Sequence, residues 1–322
     1  MEKKIIDYLV KLLKAKNKEM GGYLTSGGTE ANIFAMWLGR NSLQKSIKTN
    51  QIIVLKTSLT HYSIEKATDL VGLNYTDISI DSKFWGMSLK NLEETIKKEY
   101  KKGKKGFLIP LTLGYTITGS DDPIKEINNL INKLKNQYKE IKFFCWIDAA
   151  FSGIVKPFLE ENFTPFSYNN IQAFLTDFHK VMAVPYQSGI IIYRKNLIKN
   201  IENEVTYIGR KDTTLLGSRS GSSAIITWFT LISLGQDKII KIIEQAIKEK
   251  NIFIKQIQKK IPNIKIINQK SNIQIGLVAN SKNQKNILNK MNLEETKQKI
   301  LLNGKNKKIS IYKIYFLPFF KN

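Results

Sequence analysis

A glycine-rich stretch near the N-terminus holds the first residues that could do chemistry. Gly27, Gly28 and Thr29 directly precede an apolar run with helical spacing, residues 33–38. Free backbone N–H groups and the positive end of the helix dipole at such a helix start favour an anion, typically a phosphate. The stretch is not a dinucleotide fingerprint, nor is it a Walker loop, because no lysine follows the glycines. A plain helix start is the alternative interpretation.

Three further candidates each come close to the end of a predicted strand. His61 lies between a strand and a helix, Asp148 directly follows the apolar run FFCWI, and Lys180 follows another apolar run. A carboxylate buried at a strand end needs a cationic partner, and a desolvated lysine amine is a usable nucleophile toward an aldehyde. Taken singly, each has a structural alternative: a satisfied core histidine, a salt-bridged aspartate or a solvated lysine.

The order of these groups along the chain is more informative than any one of them. A phosphate-type loop is followed by a histidine, an aspartate and a lysine at strand ends, which is where α/β sheets bind their ligands. Together the groups suit an aromatic phosphate that carries a basic ring nitrogen and an aldehyde. The sequence therefore predicts pyridoxal 5′-phosphate as the cofactor, and no metal site is predicted.

The elements that must position these residues alternate between strand and helix from about residue 50 to residue 195. The predicted strands are residues 52–56, 75–80, 107–112, 142–147, 171–176 and 189–194. Residues 121–123, Asp-Asp-Pro, predict an acidic cap for a helix that runs to residue 134. This alternation predicts an α/β fold with a mostly parallel sheet that is covered by helices.

The C-terminal part predicts a smaller α+β unit of two long helices followed by two strands. These elements are predicted at residues 224–234, 237–260, 264–268 and 272–279. We therefore expect a large domain over residues 1–235, which begins with an amphipathic helix, and a small domain over residues 236–322 that is divergent or truncated after about residue 280. The aromatic segment 311–322 is either an edge strand or a divergent end.

The charge of the chain is strongly positive but comes almost entirely from lysine. The 322 residues include 51 Lys and Arg against 27 Asp and Glu, for a formal net charge of +24. The arginines are Arg40, Arg194, Arg210 and Arg219. Nucleic-acid binders usually depend on arginine for bidentate contacts, so lysine-rich solvated faces are the favoured interpretation, and no specific nucleic-acid partner is predicted.

The cysteine content and the hydropathy indicate a compartment. Cys145 is the only cysteine, so no intrachain disulfide can form, which fits a reducing environment. No stretch approaches the roughly 20 apolar residues of a membrane-spanning helix. The N-terminus lacks the long apolar core of a signal peptide. We therefore expect a cytoplasmic protein with no membrane partner.

Six motifs, taken in order, resemble one known family. LTSGGTEAN, THYSIEKA, TITGSDDPI, DAAFSG, TDFHK and LLGSRSG are similar to motifs of the group II pyridoxal-phosphate-dependent amino acid decarboxylases. The resemblance runs from Met1 to about Asn280 and is strongest toward bacterial histidine decarboxylases and plant serine decarboxylases. Archaeal tyrosine/aspartate decarboxylases are also similar. The resemblance implies the aminotransferase type I fold, with a large sheet domain and a small C-terminal domain, in a homodimer with shared active sites.

The resemblance also implies roles for individual residues. Lys180 would bind the cofactor covalently, Asp148 would pair with the pyridine nitrogen, and His61 would stack on the ring and face the substrate. The remaining implied contacts are Gly28, Thr29 and His179 with the phosphate, Thr116 with the ring hydroxyl, Ala150 with the other ring face, and Ser218 with the phosphate of the partner subunit. Tyr207, which begins a loop that covers the site in relatives, is the candidate proton donor.

The function implied is decarboxylation of an L-amino acid to an amine and CO₂, with histidine as the leading substrate. Two departures from the histidine branch stand out: Asp177 replaces a serine that touches phosphate, and Tyr115 replaces a smaller residue. An aspartate beside a phosphate costs free energy unless it points away. The alternatives are a cofactor-binding relative with weak or no activity, and a basic protein associated with nucleic acid.

Overall fold

The computed structural model describes residues 1–317 and arranges seven strands in one central sheet. These strands are β1 (Met20–Thr25), β2 (Ile52–Thr57), β3 (Tyr75–Ile78), β4 (Gly106–Thr112), β5 (Lys142–Asp148), β6 (Ile171–Asp177) and β7 (Gly189–Arg194). Their order across the sheet is β1-β7-β6-β5-β4-β2-β3. Strands β2 to β6 pair in parallel, and β7 is antiparallel to both of its neighbours. The predicted α/β class with a mostly parallel sheet is confirmed.

Helices lie on both faces of this sheet, and the last of them packs against the C-terminal strands instead. They are α1 (Glu2–Leu12), α2 (Gly28–Gln44), α3 (Ser63–Leu70), α4 (Leu89–Lys101), α5 (Ile124–Gln137), α6 (Lys156–Leu159), α7 (Phe178–Val181), α8 (Gly221–Lys260) and α9 (Lys282–Lys290). Successive residues of β5 alternate between two cores: Cys145 packs with α1, α4 and α5, whereas Trp146 packs with α2 and α3. Burial on both faces explains why the central strands are nearly continuous apolar runs.

A second sheet of four antiparallel strands follows in the C-terminal part. Its strands are β10 (Lys265–Asn268), β11 (Gln274–Val278), β12 (Glu295–Leu302) and β13 (Lys305–Tyr315), in the order β10-β11-β13-β12, and a separate ribbon pairs β8 (Asn203–Val205) with β9 (Arg210–Asp212). Of the two alternatives for the segment after residue 311, the edge strand is wrong, because β13 is an inner strand that pairs with both β11 and β12. Residues 318–322 of that segment lie outside the described residues.

The two predicted C-terminal helices are one element, α8, with a sharp kink. Gly235 has φ 65° and ψ 166° inside it, a left-handed conformation that glycine adopts without strain. The two predicted helix segments lie on either side of this kink. The division into domains at residues 235 and 236 stays a prediction.

Two local predictions need correction. Strand β1 was not anticipated, because its sequence MGGYLT merges into the glycine-rich stretch. The acidic cap of α5 was also wrong, since no side chain caps that helix. Asp122 instead accepts hydrogen bonds from the backbone N–H groups of Met87 and Thr112, both at 2.7 Å, and Asp121 pairs with Lys156 at 2.8 Å. Both carboxylates therefore bind partners elsewhere in the fold and not the start of α5.

Candidate active site

A cavity of about 300 Å³ opens where the strands of the large sheet end. Strands β1, β2, β4, β5 and β6 all deliver lining residues at or just after their carboxyl ends. The predicted site residues that line it are Gly28, Thr29, His61, Thr116, Asp148, Ala150, His179 and Lys180. Predicted residues from 28 to 180 thus meet in one place, because a parallel sheet brings the carboxyl ends of its strands to one edge.

Asp148, the last residue of β5, is held in place by neutral donors. Its Oδ2 accepts a hydrogen bond from Asn32 Nδ2 at 2.7 Å, and its Oδ1 accepts one from the backbone N–H of Ala150 at 3.2 Å. Trp146 Nε1 donates to Asn32 Oδ1 at 2.9 Å, which fixes the orientation of the Asn32 amide. Across the described residues, no cationic side chain forms an ion pair with this buried carboxylate, so it can take a cationic ligand group.

Lys180 carries its amine into the same cavity from the short helix α7. Its Nζ is 3.0 Å from Asp177 Oδ2 and 4.6 Å from the centroid of the Phe151 ring. The side chain is 24% exposed, so the amine stays accessible from the cavity. The cavity thus offers one partner for each reactive group of pyridoxal phosphate. The amine suits the aldehyde, the carboxylate without a cation suits the basic ring nitrogen, and the helix start suits the phosphate.

His61 is linked to Asp148 through two side chains. Asn32 Nδ2 also donates to Ser63 Oγ at 3.0 Å, and that hydroxyl lies 2.8 Å from His61 Nδ1. The backbone N–H of Ser63 also donates to Nδ1, so Nδ1 is the acceptor and Nε2 carries the ring proton. Burial lowers the pKa of His61, against the opposing effect of Asp148, so the ring is neutral at pH 7.

His179 and the start of α2 form the side of the cavity predicted to hold phosphate. The ring of His179 packs on Tyr186 with centroids 4.5 Å apart, and its Nδ1 accepts a hydrogen bond from the backbone N–H of Ser188 at 3.4 Å. Burial lowers the pKa of His179 as well. Gly27 precedes α2 with φ 153°, a conformation that side chains rarely adopt, and this leaves the helix start open to the cavity.

Two predicted residues lie away from this cavity. Tyr207 is 89% exposed and follows the ribbon strand β8, and Ser218 lines a separate pocket together with Glu30 and Arg219. The role predicted for Ser218 concerns a partner subunit, and that for Tyr207 concerns a covering loop. Both roles stay predictions.

Sequence reasoning gave no role to three residues that shape the site. Asn32, Ser63 and Phe151 all belong to motifs quoted above, but only the packing of α2, α3 and β5 shows what they contact. One signal was available for Asn32: it is a polar residue directly before the apolar helical run 33–38. A buried asparagine at such a position needs hydrogen-bond partners.

Tyr115, noted as a departure, forms the rear of the cavity and is fully buried. Its hydroxyl lies 2.9 Å from both carboxylate oxygens of Asp122 and 3.0 Å from Thr57 Oγ1. Burial raises the pKa of Asp122 to about 7, while the donors around it act in the opposite direction. The larger side chain is therefore accommodated by a polar network behind the cavity.

The fold and this cavity define a pyridoxal-phosphate-binding domain of the aminotransferase type I class. A family profile described as "Pyridoxal-dependent decarboxylase conserved domain" matches residues 1–281, and the chain belongs to that family. This confirms the predicted family resemblance and the predicted cofactor. Among residues 1–317, no three or more His, Cys, Asp or Glu residues are grouped to hold a metal ion.

Individual relatives in the comparison are also decarboxylases. The chain is 36% identical over 240 residues to the tryptophan decarboxylase of Clostridium sporogenes, an alignment that covers 73% of this chain and 56% of that protein. It is 29% identical over 234 residues to the histidine decarboxylase of Vibrio anguillarum, covering 72% and 57%. The chain thus spans little more than half the length of these relatives.

A solved structure supports the fold. The glutamate decarboxylase of Lactobacillus brevis superposes with a TM-score of 0.81 at 18% identity, covering 98% of this chain and 74% of that one. This similarity concerns the fold alone. In the part of the chain that the structure describes, no helix is both long enough and apolar enough to cross a bilayer.

Proposed function

We propose that this chain catalyses the pyridoxal-phosphate-dependent decarboxylation of an L-amino acid to its amine and CO₂. The observation that carries the proposal is the common cavity of Lys180, Asp148 and the start of α2. Membership of the decarboxylase family supports the same reaction. The amine can bind the aldehyde, the carboxylate can pair with the ring nitrogen, and the helix start can receive the phosphate.

Three residues have proposed roles in the reaction: Asp148, His61 and Tyr207. Asp148, which is oriented by Asn32 and unpaired with any described cation, holds a proton on the ring nitrogen of the cofactor. With that proton in place, bound pyridoxal phosphate supplies an electron sink for the electrons of the bond to the departing carboxylate. His61, neutral and protonated on Nε2, bounds the space in which the substrate is held. Tyr207 is the proposed donor of the proton that replaces the carboxylate.

For the substrate we propose an amino acid with a ring in its side chain. Histidine was predicted from the sequence motifs, and the 36% identity to a tryptophan decarboxylase supports tryptophan. Aromatic side chains line the cavity and can pack against such a ring: Tyr62, Phe151 and Tyr186. Histidine and tryptophan are therefore the first two substrates to compare.

The test combines a cofactor measurement with a product measurement. Purified protein loaded with pyridoxal phosphate is given each common L-amino acid in turn, and the amine and CO₂ released are quantified. Asp148→Asn keeps the size of the side chain but removes its charge, and we expect a loss of activity of roughly a hundredfold or more. Asp69→Asn, on the exposed surface of α3, is the matched control and should leave activity unchanged.

The outcomes separate the alternatives. Release of an amine from one amino acid, lost in the Asp148 variant and kept in the control, supports the proposal. A visible cofactor band without any product across the whole panel would favour the cofactor-binding relative of weak activity. The homodimer with shared sites and the cytoplasmic location also stay proposals, and light scattering at several protein concentrations tests the first of them.

A further inference from the structure

Asp177 is a second carboxylate at the edge of the cavity, one strand away from Asp148. It is the last residue of β6, is 1% exposed and lines the cavity. Its Oδ2 lies 3.0 Å from Lys180 Nζ and 3.7 Å from His179 Nε2. Its Oδ1 is buried and has no hydrogen-bond partner within residues 1–317. A buried carboxylate with one oxygen left over is costly and calls for an explanation.

Two glycines fix the position of this carboxylate. A Cβ added at Gly28 would lie 3.2 Å from Asp177 Oδ2, and one added at Gly189 would lie 2.7 Å from Oδ1. The carboxylate is therefore enclosed between the start of α2 and the start of β7. The start of α2 is also where the cofactor phosphate is proposed to bind. The carboxylate of Asp177 therefore lies beside the proposed phosphate site.

The cavity around Asp177 contains more negative than positive side chains. Lys180 and His179 face it from α7, and Asp148 and His61 lie across the cavity on other elements. Burial lowers the pKa of both histidines, so neither is charged at pH 7. Among the described lining residues, Lys180 thus remains as the cation for two carboxylates.

We propose that Asp177 is a positioning residue that controls cofactor loading, since it holds Lys180 before the cofactor binds and opposes the phosphate afterwards. The proposal rests on the proposed function of the cavity. An amine attacks an aldehyde only when unprotonated, so Lys180 must release its proton to solvent and leave its ion pair. The nitrogen then bonds to the aldehyde carbon, and the aldehyde oxygen leaves as water.

Loading therefore breaks the ion pair of Asp177 with Lys180 and brings a phosphate toward the same helix start. Two anions close together in a site of low dielectric repel each other strongly. Asp177 accordingly weakens cofactor binding, and its replacement by a neutral residue of the same size should strengthen it. The opposite change is expected if the carboxylate merely supports the fold.

The first experiment tests the ion pair without any cofactor. Cofactor-free protein is treated with formaldehyde and borohydride, and the methylation rate of each lysine is followed by mass spectrometry. Asp177→Asn should raise the rate at Lys180 by about tenfold, the effect of removing one close opposite charge. Lys285, which pairs with Glu295 at 3.1 Å, is the internal control: Glu295→Gln should accelerate Lys285 but not Lys180. An unchanged rate at Lys180 in Asp177→Asn would overturn the first half of the proposal.

The second experiment tests the repulsion with two ligands. Asp177→Asn and Asp177→Ser should each bind pyridoxal phosphate about tenfold more tightly than the unmodified chain, as measured by equilibrium dialysis. Inorganic phosphate is a probe that binds without reacting with Lys180. Replacing Asp177 should strengthen phosphate binding most in a Lys180→Met background, because the Asp177 carboxylate has no cation there. Equal or weaker binding of both ligands would overturn the second half.

The two ligands also separate this proposal from the function on which it rests. If pyridoxal phosphate binds neither the unmodified chain nor the variants, the proposed function fails, yet the methylation rate and the phosphate affinity still decide the role of Asp177. Thermal unfolding of each variant shows whether the fold is intact. Asp177→Ser provides a second neutral side chain if Asp177→Asn unfolds.

Discussion

Two lysines in different parts of the molecule, one partly exposed and one fully buried, show how one type of side chain can serve chemistry or structure. Lys180 projects into the cavity with one carboxylate oxygen at 3.0 Å and an aromatic ring beneath it. Lys250, in the middle of α8, is fully buried and donates to the carbonyl oxygens of Gln269, Lys270 and Asn272 at 2.7, 3.1 and 2.6 Å. An ammonium has three donors, so Lys250 has none left to offer.

The difference lies in what surrounds each amine. The carbonyl groups of the loop between β10 and β11 surround the Lys250 amine. Asn272 connects the same loop to the segment after β4 by donating to Gly119 O at 2.7 Å and Asp121 Oδ1 at 2.8 Å. Lys180 keeps part of its surface open to the cavity. The amine of Lys250, which uses all three donors, therefore holds the loop of the small sheet in place. The amine of Lys180, which is partly exposed, stays available to a ligand.

Replacing Lys180 should produce the largest effect, and it should fall on activity. Lys180→Met removes the nucleophile, and we expect decarboxylation to fall by at least about a thousandfold. The free energy of unfolding should fall by no more than about 2 kcal/mol, because the buried carboxylate of Asp177 loses its ion pair but water in the cavity can replace the amine. Product assay and urea denaturation of the same preparation measure both quantities. A loss of activity that follows a loss of folded protein would contradict this assignment.

Replacing Lys250 should have the converse effect. Lys250→Met leaves three carbonyls without their donor, and we expect the free energy of unfolding to fall by about 3 kcal/mol. Activity per folded molecule should remain within about twofold, since Lys250 does not line the cavity. Urea denaturation followed by circular dichroism gives the stability.

The control for this prediction lies on the same helix. Lys248 is exposed, so Lys248→Met should alter the unfolding free energy by less than about 0.5 kcal/mol. Equal losses at positions 248 and 250 would mean that helix propensity, and not the carbonyl contacts, decides the stability of this region.

The contrast between the two lysines also shows what sequence alone could reveal. Lys180 and Asp148 were predicted from residue type and from their place after apolar runs, because a parallel sheet brings all its carboxyl ends to one edge. Lys250 could not be distinguished from the many solvated lysines of α8. Its partners come from a loop about twenty residues further on, and only the packing of that loop against α8 buries it.

The same limit applies to the rest of the fold and site. The parallel strands have strong local signals and were predicted closely, but β12 and β13 carry many polar and lysine residues and form through pairing with each other. Asn32 was overlooked because its bond to Asp148 joins residues 116 positions apart. The role predicted for Ser218 concerns a partner subunit and that for Tyr207 a covering loop, so the contacts of one chain test neither.

The last and smallest effect is a pH dependence that only the buried structural lysine should show. Burial, aided by nearby Lys156, lowers the pKa of Lys250 from 10.5 to about 8. Between these values the unfolded chain binds more protons than the folded one, so the contribution of Lys250 to stability rises with pH. The unfolding free energy of the unmodified chain minus that of Lys250→Met should grow by about 2 kcal/mol from pH 7.5 to pH 9.5. Subtracting the two unfolding free energies cancels the contributions of groups that titrate equally in both proteins. If the result did not change with pH, the carbonyl contacts would hold the Lys250 proton as firmly as water does.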